Sequence, residues 1–350
     1  MCSETRPNAK PENVIRYVMT NNYQTEIDNS NHYRILPTSL IYDYRNENFH
    51  ELYERFYNFC RGSLNFHVEN IDIDPNIFLF YNSLNINAKA GYNDEVFVIL
   101  FYDGLFKWAI TNILNNNLID DYLSEHYNEN VSKYDNTLNL LSFQVATQFT
   151  FYHETAHLIQ KSKRKLSFTL QERSIEEQNY IFLNHLLELN ADGYASIAIA
   201  THITQYLENI FNENITLEDF KFSVKFFGAS LFYYLLSFSD SNEPLYYYEK
   251  SHPHPVIRLF NILIRIINHL TNSEYLSENN IEFNQFELLQ EVFSFYYELE
   301  EENVFSTNVG EIINNALESR EIIVEYLGAF LDFNDDNHYD ALEKWNQHIV

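Results

Sequence analysis

The sequence predicts an α+β fold that is mainly helical, with a small β-sheet before its longest helices. Proline is absent between Pro75 and Pro244, so several helices can run there without interruption. Apolar and polar residues alternate over 84–89, which is typical of a half-buried strand. A nearly continuous apolar run over 96–102 is typical of an inner strand. With 350 residues, 45% of them hydrophobic, the chain is long enough to bury a sizeable core.

The remaining elements follow along the chain. Residues 52–60 have the apolar spacing of a short helix. Turn residues at 91–94 separate the two strand patterns, so one β-hairpin is predicted over 78–102. Seven further helices are predicted, over 104–117, 138–162, 174–203, 218–238, 255–270, 284–300 and 309–331.

Composition and charge exclude several classes of protein. Lys and Arg number 22 against 50 Asp and Glu, a net charge of −28, which repels phosphate backbones, so no nucleic-acid partner is expected. No two of the seven glycines lie within ten residues of each other, which excludes the glycine-rich dinucleotide and P-loop motifs. Two cysteines cannot form a disulfide framework. The first residues lack an apolar run, and the longest apolar stretch, 226–238, is too short to span a bilayer, so a cytoplasmic protein without a membrane partner is expected.

An H-E-x-x-H motif begins at His153 and ends at His157. On a helix these positions lie on one face, so both imidazoles can reach one metal ion. Glu154 then lies beside the ion, where hydrolysis needs a general base. Gln160 and Lys163 stand where a metzincin carries glycine and a third histidine, which excludes that class. The alternative is that both histidines are core residues that hydrogen-bond to carbonyls or carboxylates.

A catalytic zinc site needs a third protein ligand, and the next predicted helix offers three donors. His185, Glu188 and Asp192 follow one another at i, i+3 and i+7, so all three lie on one face. We expect Glu188 to be the ligand and Asp192 to orient an imidazole from behind. Asp192 and His185 are the other candidate ligands. Ala191 and Ala195 favour close packing on the motif helix over the alternative, in which the acids are solvated surface residues.

Three motifs in this order resemble those of a known group of peptidases. They are H-E-x-x-H at 153–157, E-x-x-A-D-x-x-A at 188–195 and S-H-P-x-x-x-x-R at 251–258. The chain resembles gluzincin peptidases of the CAAX-processing and HtpX-like type, and looks most like their soluble relatives in the phage-exclusion peptidase Lit family. The resemblance covers roughly 75–270. The step from the second histidine to the glutamate is longer than in the short soluble relatives.

This resemblance implies a zinc-dependent endopeptidase with a zincin-like core and a small sheet above the H-E-x-x-H helix. Its substrate would be an intracellular protein or peptide, cleaved to exclude phage. His252 and Arg258 match positions that would stabilise the tetrahedral oxyanion, and His254 is a close rival. The alternative for this segment is a proline-rich helix start, with Pro255 in the first turn and Arg258 on the surface.

The resemblance also suggests a division of the chain. An N-terminal extension over 1–70, a zincin-like metallopeptidase domain over 71–270 and an acidic helical extension over 271–350 are expected. An edge strand within 95–102 is expected to bind the substrate by strand addition. Two other functions stay open: a non-catalytic helical interaction protein with a structural or vestigial metal site, and a zinc hydrolase of small amides.

Two further segments carry weaker signals. Four basic residues within 161–165 either pair with the end of the motif helix or form an electropositive lip beside the cleft. Donors over 332–343 follow part of an EF-hand pattern, but Asn337 replaces its glycine, so a solvated acidic loop is expected rather than a calcium site.

Overall fold

The computed structural model describes residues 22–68, 71, 73–162, 168–171, 181–237, 243–307 and 310–331. The fold is α+β and mainly helical, as predicted, with one small sheet. The strands are β1 Asn76–Tyr81, β2 Ala88–Tyr92, β3 Phe97–Tyr102 and β4 Phe168–Gln171. The helices are α1 Tyr23–His32, α2 His50–Val68, α3 Asp103–Ala109, α4 Asn117–His126, α5 Asn128–Val131, α6 Leu138–Lys161, α7 Phe182–Phe211, α8 Leu217–Leu236, α9 Pro255–Thr271, α10 Glu274–Glu278, α11 Gln285–Glu301, α12 Gly310–Glu318 and α13 Arg320–Leu331.

The sheet has the strand order β1-β3-β2-β4 and differs from the predicted hairpin. Strands β2 and β3 do form a hairpin, but β1 pairs with β3 in parallel, with Asn76 opposite Phe97 and Tyr81 opposite Tyr102. The alternating residues 84–87 are not a strand, and Leu84 is 86% exposed. They belong to the connection that carries the chain from β1 to β2, where the amide of Gly104 donates to the carbonyl of Ser83 at 2.8 Å.

Helices α1 and α2 pack on β1 and close its outer edge. The amide of Phe78 donates to Glu26 at 3.3 Å, and the amide of Phe80 donates to the hydroxyl of Tyr23 at 3.0 Å. Residues 22–68 therefore build part of the same apolar core as the sheet. The predicted domain boundaries near 70 and 270 stay predictions.

Four of the eight predicted helices, over 138–162, 218–238, 255–270 and 284–300, are confirmed within two residues at each end. The helix predicted over 52–60 is longer in the structure, where α2 covers His50–Val68. The helix predicted over 174–203 is an exception: its described part is α7, which continues to Phe211 because Ile203, Leu207 and Phe211 extend the buried face at i, i+4 and i+8. The helix predicted over 309–331 is interrupted at Ser319 into α12 and α13. The helix predicted over 104–117 ends earlier, because a π-helical turn over Ile110–Leu114 follows α3.

Helix α6 is central to the molecule. One side packs on β2 and β3 of the sheet, and other sides pack on α7 and α8. Small residues bring α7 close, since Ala191 and Ala195 are fully buried. Helix α9 begins at Pro255, whose fixed backbone angle suits the first turn. None of the described helices is long and apolar enough to cross a membrane.

Candidate metal centre

Helices α6 and α7 bring His153, His157 and Glu188 together in the core. The two Nε2 atoms lie 3.0 Å apart. The Nε2 of His153 is 3.4 Å from Oε2 of Glu188, and the Nε2 of His157 is 3.4 Å from its Oε1. All three residues are at most 2% exposed. The structure thus brings together the three residues that were predicted from their spacing in the sequence.

The size of this triangle suits a single metal ion. Tetrahedral zinc with bonds of about 2.0–2.2 Å places its ligand atoms about 3.3–3.6 Å from one another. The nitrogen–nitrogen distance of 3.0 Å and the two nitrogen–oxygen distances of 3.4 Å, which end on different oxygens of Glu188, are close to that spacing. The ligand atoms lie within 4.8 Å of one another, so this group can hold a metal ion.

Asp192, one turn beyond Glu188, fixes the first histidine from behind. Its Oδ1 accepts a hydrogen bond from Nδ1 of His153 at 3.0 Å, so the Nε2 lone pair of that ring faces the centre. Arg258 of α9 donates to the same carboxylate, from Nε at 2.9 Å and from Nη2 at 2.7 Å. Its Nη2 also lies 3.8 Å from Glu188. Arg258 is only 8% exposed, which contradicts a surface position, and these contacts favour a positioning role.

Gln160 accepts a hydrogen bond from the imidazole of His157, as Asp192 does from that of His153. Its Oε1 accepts from Nδ1 of His157 at 2.9 Å, and its Nε2 donates to the carbonyl of Leu187 at 2.9 Å. In the sequence, Gln160 served only to exclude the metzincin pattern, and its contact with His157 was not predicted. The sequence feature that could have predicted this contact is that Gln160 follows His157 by three residues, which places both side chains on the same face of the helix.

Hydrogen bonds and opposite charges within the cluster shift the pKa values of its members. Burial alone would raise the pKa of Glu188, but His153 and His157 hold it well below its usual range. Burial likewise opposes ionisation of Asp192, and the guanidinium of Arg258 together with His153 lowers its pKa. For His153, burial disfavours the charged form, yet hydrogen bonds to Asp192 and Glu188 raise its pKa well above the usual value. The carboxylates of Glu188 and Asp192 are therefore held ionised beside the two histidines and Arg258.

Glu154 lies on the same helix and is fully buried. Burial raises the pKa of Tyr102, the last residue of β3, to about 12, and the charges of Tyr81 and Glu154 add to the effect. The carboxyl ends of β1 and β3 thus lie near Glu154. The role of Glu154 as a general base beside an ion stays a prediction.

His252 approaches the centre from the segment before α9. Its Nε2 lies 3.8 Å from Oε1 of Glu188, and its Nδ1 is 2.8 Å from the hydroxyl of Ser251. Its side chain is 21% exposed, whereas the three candidate ligands His153, His157 and Glu188 are nearly inaccessible. His252 is therefore placed between the centre and solvent.

The rival histidine, His254, has a different contact. Its Nδ1 accepts from the amide of Val256 at 3.1 Å and caps the start of α9. Burial, and secondarily the charge of Lys250, lowers its pKa to about 4. Of the two histidines, it is His252 whose imidazole lies within 4 Å of the Glu188 carboxylate.

The third candidate ligand, His185, lies away from the triangle. Its Nδ1 contacts the hydroxyl of Tyr326 in α13, and its Nε2 lies 2.7 Å from the carbonyl of Lys250. His185 therefore joins α7 to α13 and to the segment that carries His252. Sequence reasoning missed this connection, because nothing near Tyr326 marks a partner so distant in the chain.

The prediction that an edge strand lies within 95–102 is wrong. Strand β3 lies inside the sheet between β1 and β2, because β1 joins it in parallel. Within the described part of the chain, the free edge of the sheet is β4. Two weaker predictions, the basic residues 163–165 and the calcium-like segment 332–343, lie outside the described residues.

The fold and the site define a mainly helical α+β protein with a buried group of two histidines and one glutamate that can hold a metal ion. No protein-family model, curated protein or solved structure matches this chain.

Proposed function

We propose that this chain is a zinc-dependent endopeptidase that cleaves an intracellular protein. The observation that carries the proposal is the group formed by His153 and His157 of α6, the helix that also carries Glu154, and by Glu188 of α7, at distances close to those of a zinc tetrahedron. Two imidazoles and one carboxylate are a ligand set typical of catalytic zinc, which leaves one position open. When bound, zinc lowers the pKa of a water to near 7 and polarises the scissile carbonyl.

The chain's own residues would supply the remaining chemistry. Glu154 would take a proton from the attacking water and return it to the leaving amine. His252, the most accessible residue of the cluster, would donate a hydrogen bond to the oxyanion. Asp192, Gln160 and Arg258 would hold the two ligating histidines in the tautomer that presents Nε2 to the ion.

The substrate would bind along β4. Strand β1 cannot accept a peptide along 76–81, because side chains of α1 already bond to its amides. Strand β4 pairs on one side with β2, which packs on α6, and its other side faces no strand among the described residues. Strand addition to a sheet edge binds an extended peptide through its backbone and tolerates many side chains.

The deciding experiment combines metal content with cleavage. The full chain is purified, its zinc is measured by plasma mass spectrometry, and a random peptide library is digested and read by mass spectrometry. We expect Glu154→Gln to retain stoichiometric zinc and to lose about 10²–10⁴ in rate. The control is Glu125→Gln, an exposed glutamate of α4, which should cleave like the wild type. A wild type without zinc would overturn the proposal.

A second candidate function has one observation in its favour. The centre is almost closed to solvent, with His153 and His157 fully buried, as in structural metal sites. In that case the chain would be a non-catalytic interaction protein. The same experiment separates the two: bound zinc without peptide cleavage, together with unfolding when a chelator removes the metal, would favour the structural role.

A further inference from the structure

A cavity of about 830 Å³ lies between α9, α11, α12 and α13, and none of its lining residues belongs to the metal centre. Its floor is formed by buried apolar side chains, which are Phe260, Ile267, Phe293 and Ile313. Its mouth is also apolar, since Phe286, Tyr297 and Val324 are 52%, 38% and 61% exposed. Apolar pockets of about 300–1,000 Å³ are typical of small-molecule sites. Exposed apolar surface of this kind favours an occupant.

The polar groups of this cavity are mostly uncharged. Among the described lining residues, only Arg320 and Glu321 carry a charge, although the chain holds 50 acids. The guanidinium of Arg320 lies 5.9 Å from the centre of the Phe286 ring. It forms no ion pair with any described carboxylate, including that of its neighbour Glu321. A solvent-accessible cation at the mouth of an apolar cavity is complementary to a single anionic head group.

We propose that this cavity binds a long-chain monocarboxylate, such as a fatty acid. The acyl chain would lie against Phe260, Ile267 and Phe293, and its carboxylate would pair with Arg320. The walls are helices whose backbone groups are bonded within each helix, so the cavity offers no edge for an extended peptide. This site does not depend on the proposed peptidase activity.

The test measures displacement of dansyl-undecanoate from the full chain, with dodecanoate kept below its micelle concentration. We expect saturable binding of one dodecanoate per chain, and binding of dodecyltrimethylammonium weaker by about five-fold or more, because only the carboxylate pairs with Arg320. Arg320→Gln should remove this preference. Val324→Glu should weaken dodecanoate binding by a similar factor through like-charge repulsion. Ile322→Glu is the matched control, since Ile322 is 54% exposed on the same helix but does not line the cavity.

Three results would overturn the proposal. The first is the absence of saturable dodecanoate binding by the full chain, which would mean that another occupant covers the cavity or that none is bound. The second is equal loss of binding in Val324→Glu and Ile322→Glu, or a head-group preference that survives Arg320→Gln. The third is a sedimentation-velocity experiment in which the wild type is a dimer and the Val324→Glu variant is a monomer. That result would make this face an interface between two copies.

Discussion

The Nδ1 atom of His153 lies 3.0 Å from Oδ1 of Asp192, and this contact connects the candidate metal centre to a third helix. Asp192 also accepts from Arg258 of α9 through both carboxylate oxygens. The orientation of the His153 ring thus depends on α6, α7 and α9 together. A hydrogen-bonded acid behind a ligating histidine is a common device for fixing the ring and raising its basicity.

We expect Asp192→Asn to weaken zinc binding by about 10–100-fold. An amide in this position must turn its NH₂ toward either His153 or Arg258, and both of those groups are donors. Competition with a chelating dye measures the change in affinity. Asp121→Asn, at an exposed position of α4, is the control. An unchanged affinity in Asp192→Asn would show that the contact does not orient the ring.

Gln160 provides a second, independent prediction about the same centre. We expect Gln160→Ala to lower zinc affinity by about ten-fold, because Nδ1 of His157 loses its acceptor and the ring can turn away. Gln144→Ala, an exposed glutamine earlier in α6, controls for the general effect of the substitution on the helix. If both variants bind zinc equally well, Gln160 has no positioning role.

His254 should make folding stability depend on pH. Burial lowers its pKa from 6.5 to about 4, so between these values the unfolded chain binds more protons than the folded chain. The free energy of unfolding therefore falls as the pH drops from 6.5 toward 4. From pH 7 to pH 5 this histidine contributes a loss of about 1–2 kcal/mol.

Urea denaturation of His254→Asn at the two pH values isolates this contribution. Asparagine also accepts from the Val256 amide as a helix cap, but it does not titrate in this range. We expect a smaller loss of stability between pH 7 and pH 5 in this variant than in the wild type. His32→Asn, at the exposed end of α1, should lose as much as the wild type. Equal losses in all three proteins would refute the assignment.

Sequence reasoning succeeded where the information is local. The spacing of His153 and His157 places both on one face of a helix, and the structure forms that helix over Leu138–Lys161. The spacing of His185, Glu188 and Asp192 predicts that all three lie on one face of a helix, and the carboxylates of Glu188 and Asp192 do lie 3.4 and 3.0 Å from His153. Periodicity of 3.6 residues is sufficient for such inferences.

Sequence reasoning failed where residues distant in the chain meet. The pairing of β1 with β3 could not be predicted, because a continuous apolar run fits any fully buried strand and does not identify the neighbouring strands. The contact of His185 with Tyr326 spans 141 residues, and neither residue shows any periodic signal for it. The positioning contact of Gln160 was missed for another reason, since a glutamine has no marked preference for metal sites.

The connection between β1 and β2 provides the last prediction, since it passes directly over Gly104. A Cβ atom at Gly104 would lie 2.6 Å from the carbonyl oxygen of Asn85, and the carbonyl of Leu84 would be closer still. Both obstacles are backbone atoms, which cannot rotate away. We therefore expect Gly104→Ala to reduce the free energy of unfolding by about 2 kcal/mol or more through overpacking.

Gly62 in α2 is the matched control, because a Cβ atom there would meet nothing within 4 Å. Both substitutions reduce the entropy of the unfolded chain equally, so their difference reports on the folded state alone. Gly62→Ala should raise the free energy of unfolding by about 0.5–1 kcal/mol, since alanine is the better helix former. In urea denaturation, the free energies of unfolding of the two variants should therefore change in opposite directions. A neutral Gly104→Ala would mean that the connection does not press on this glycine.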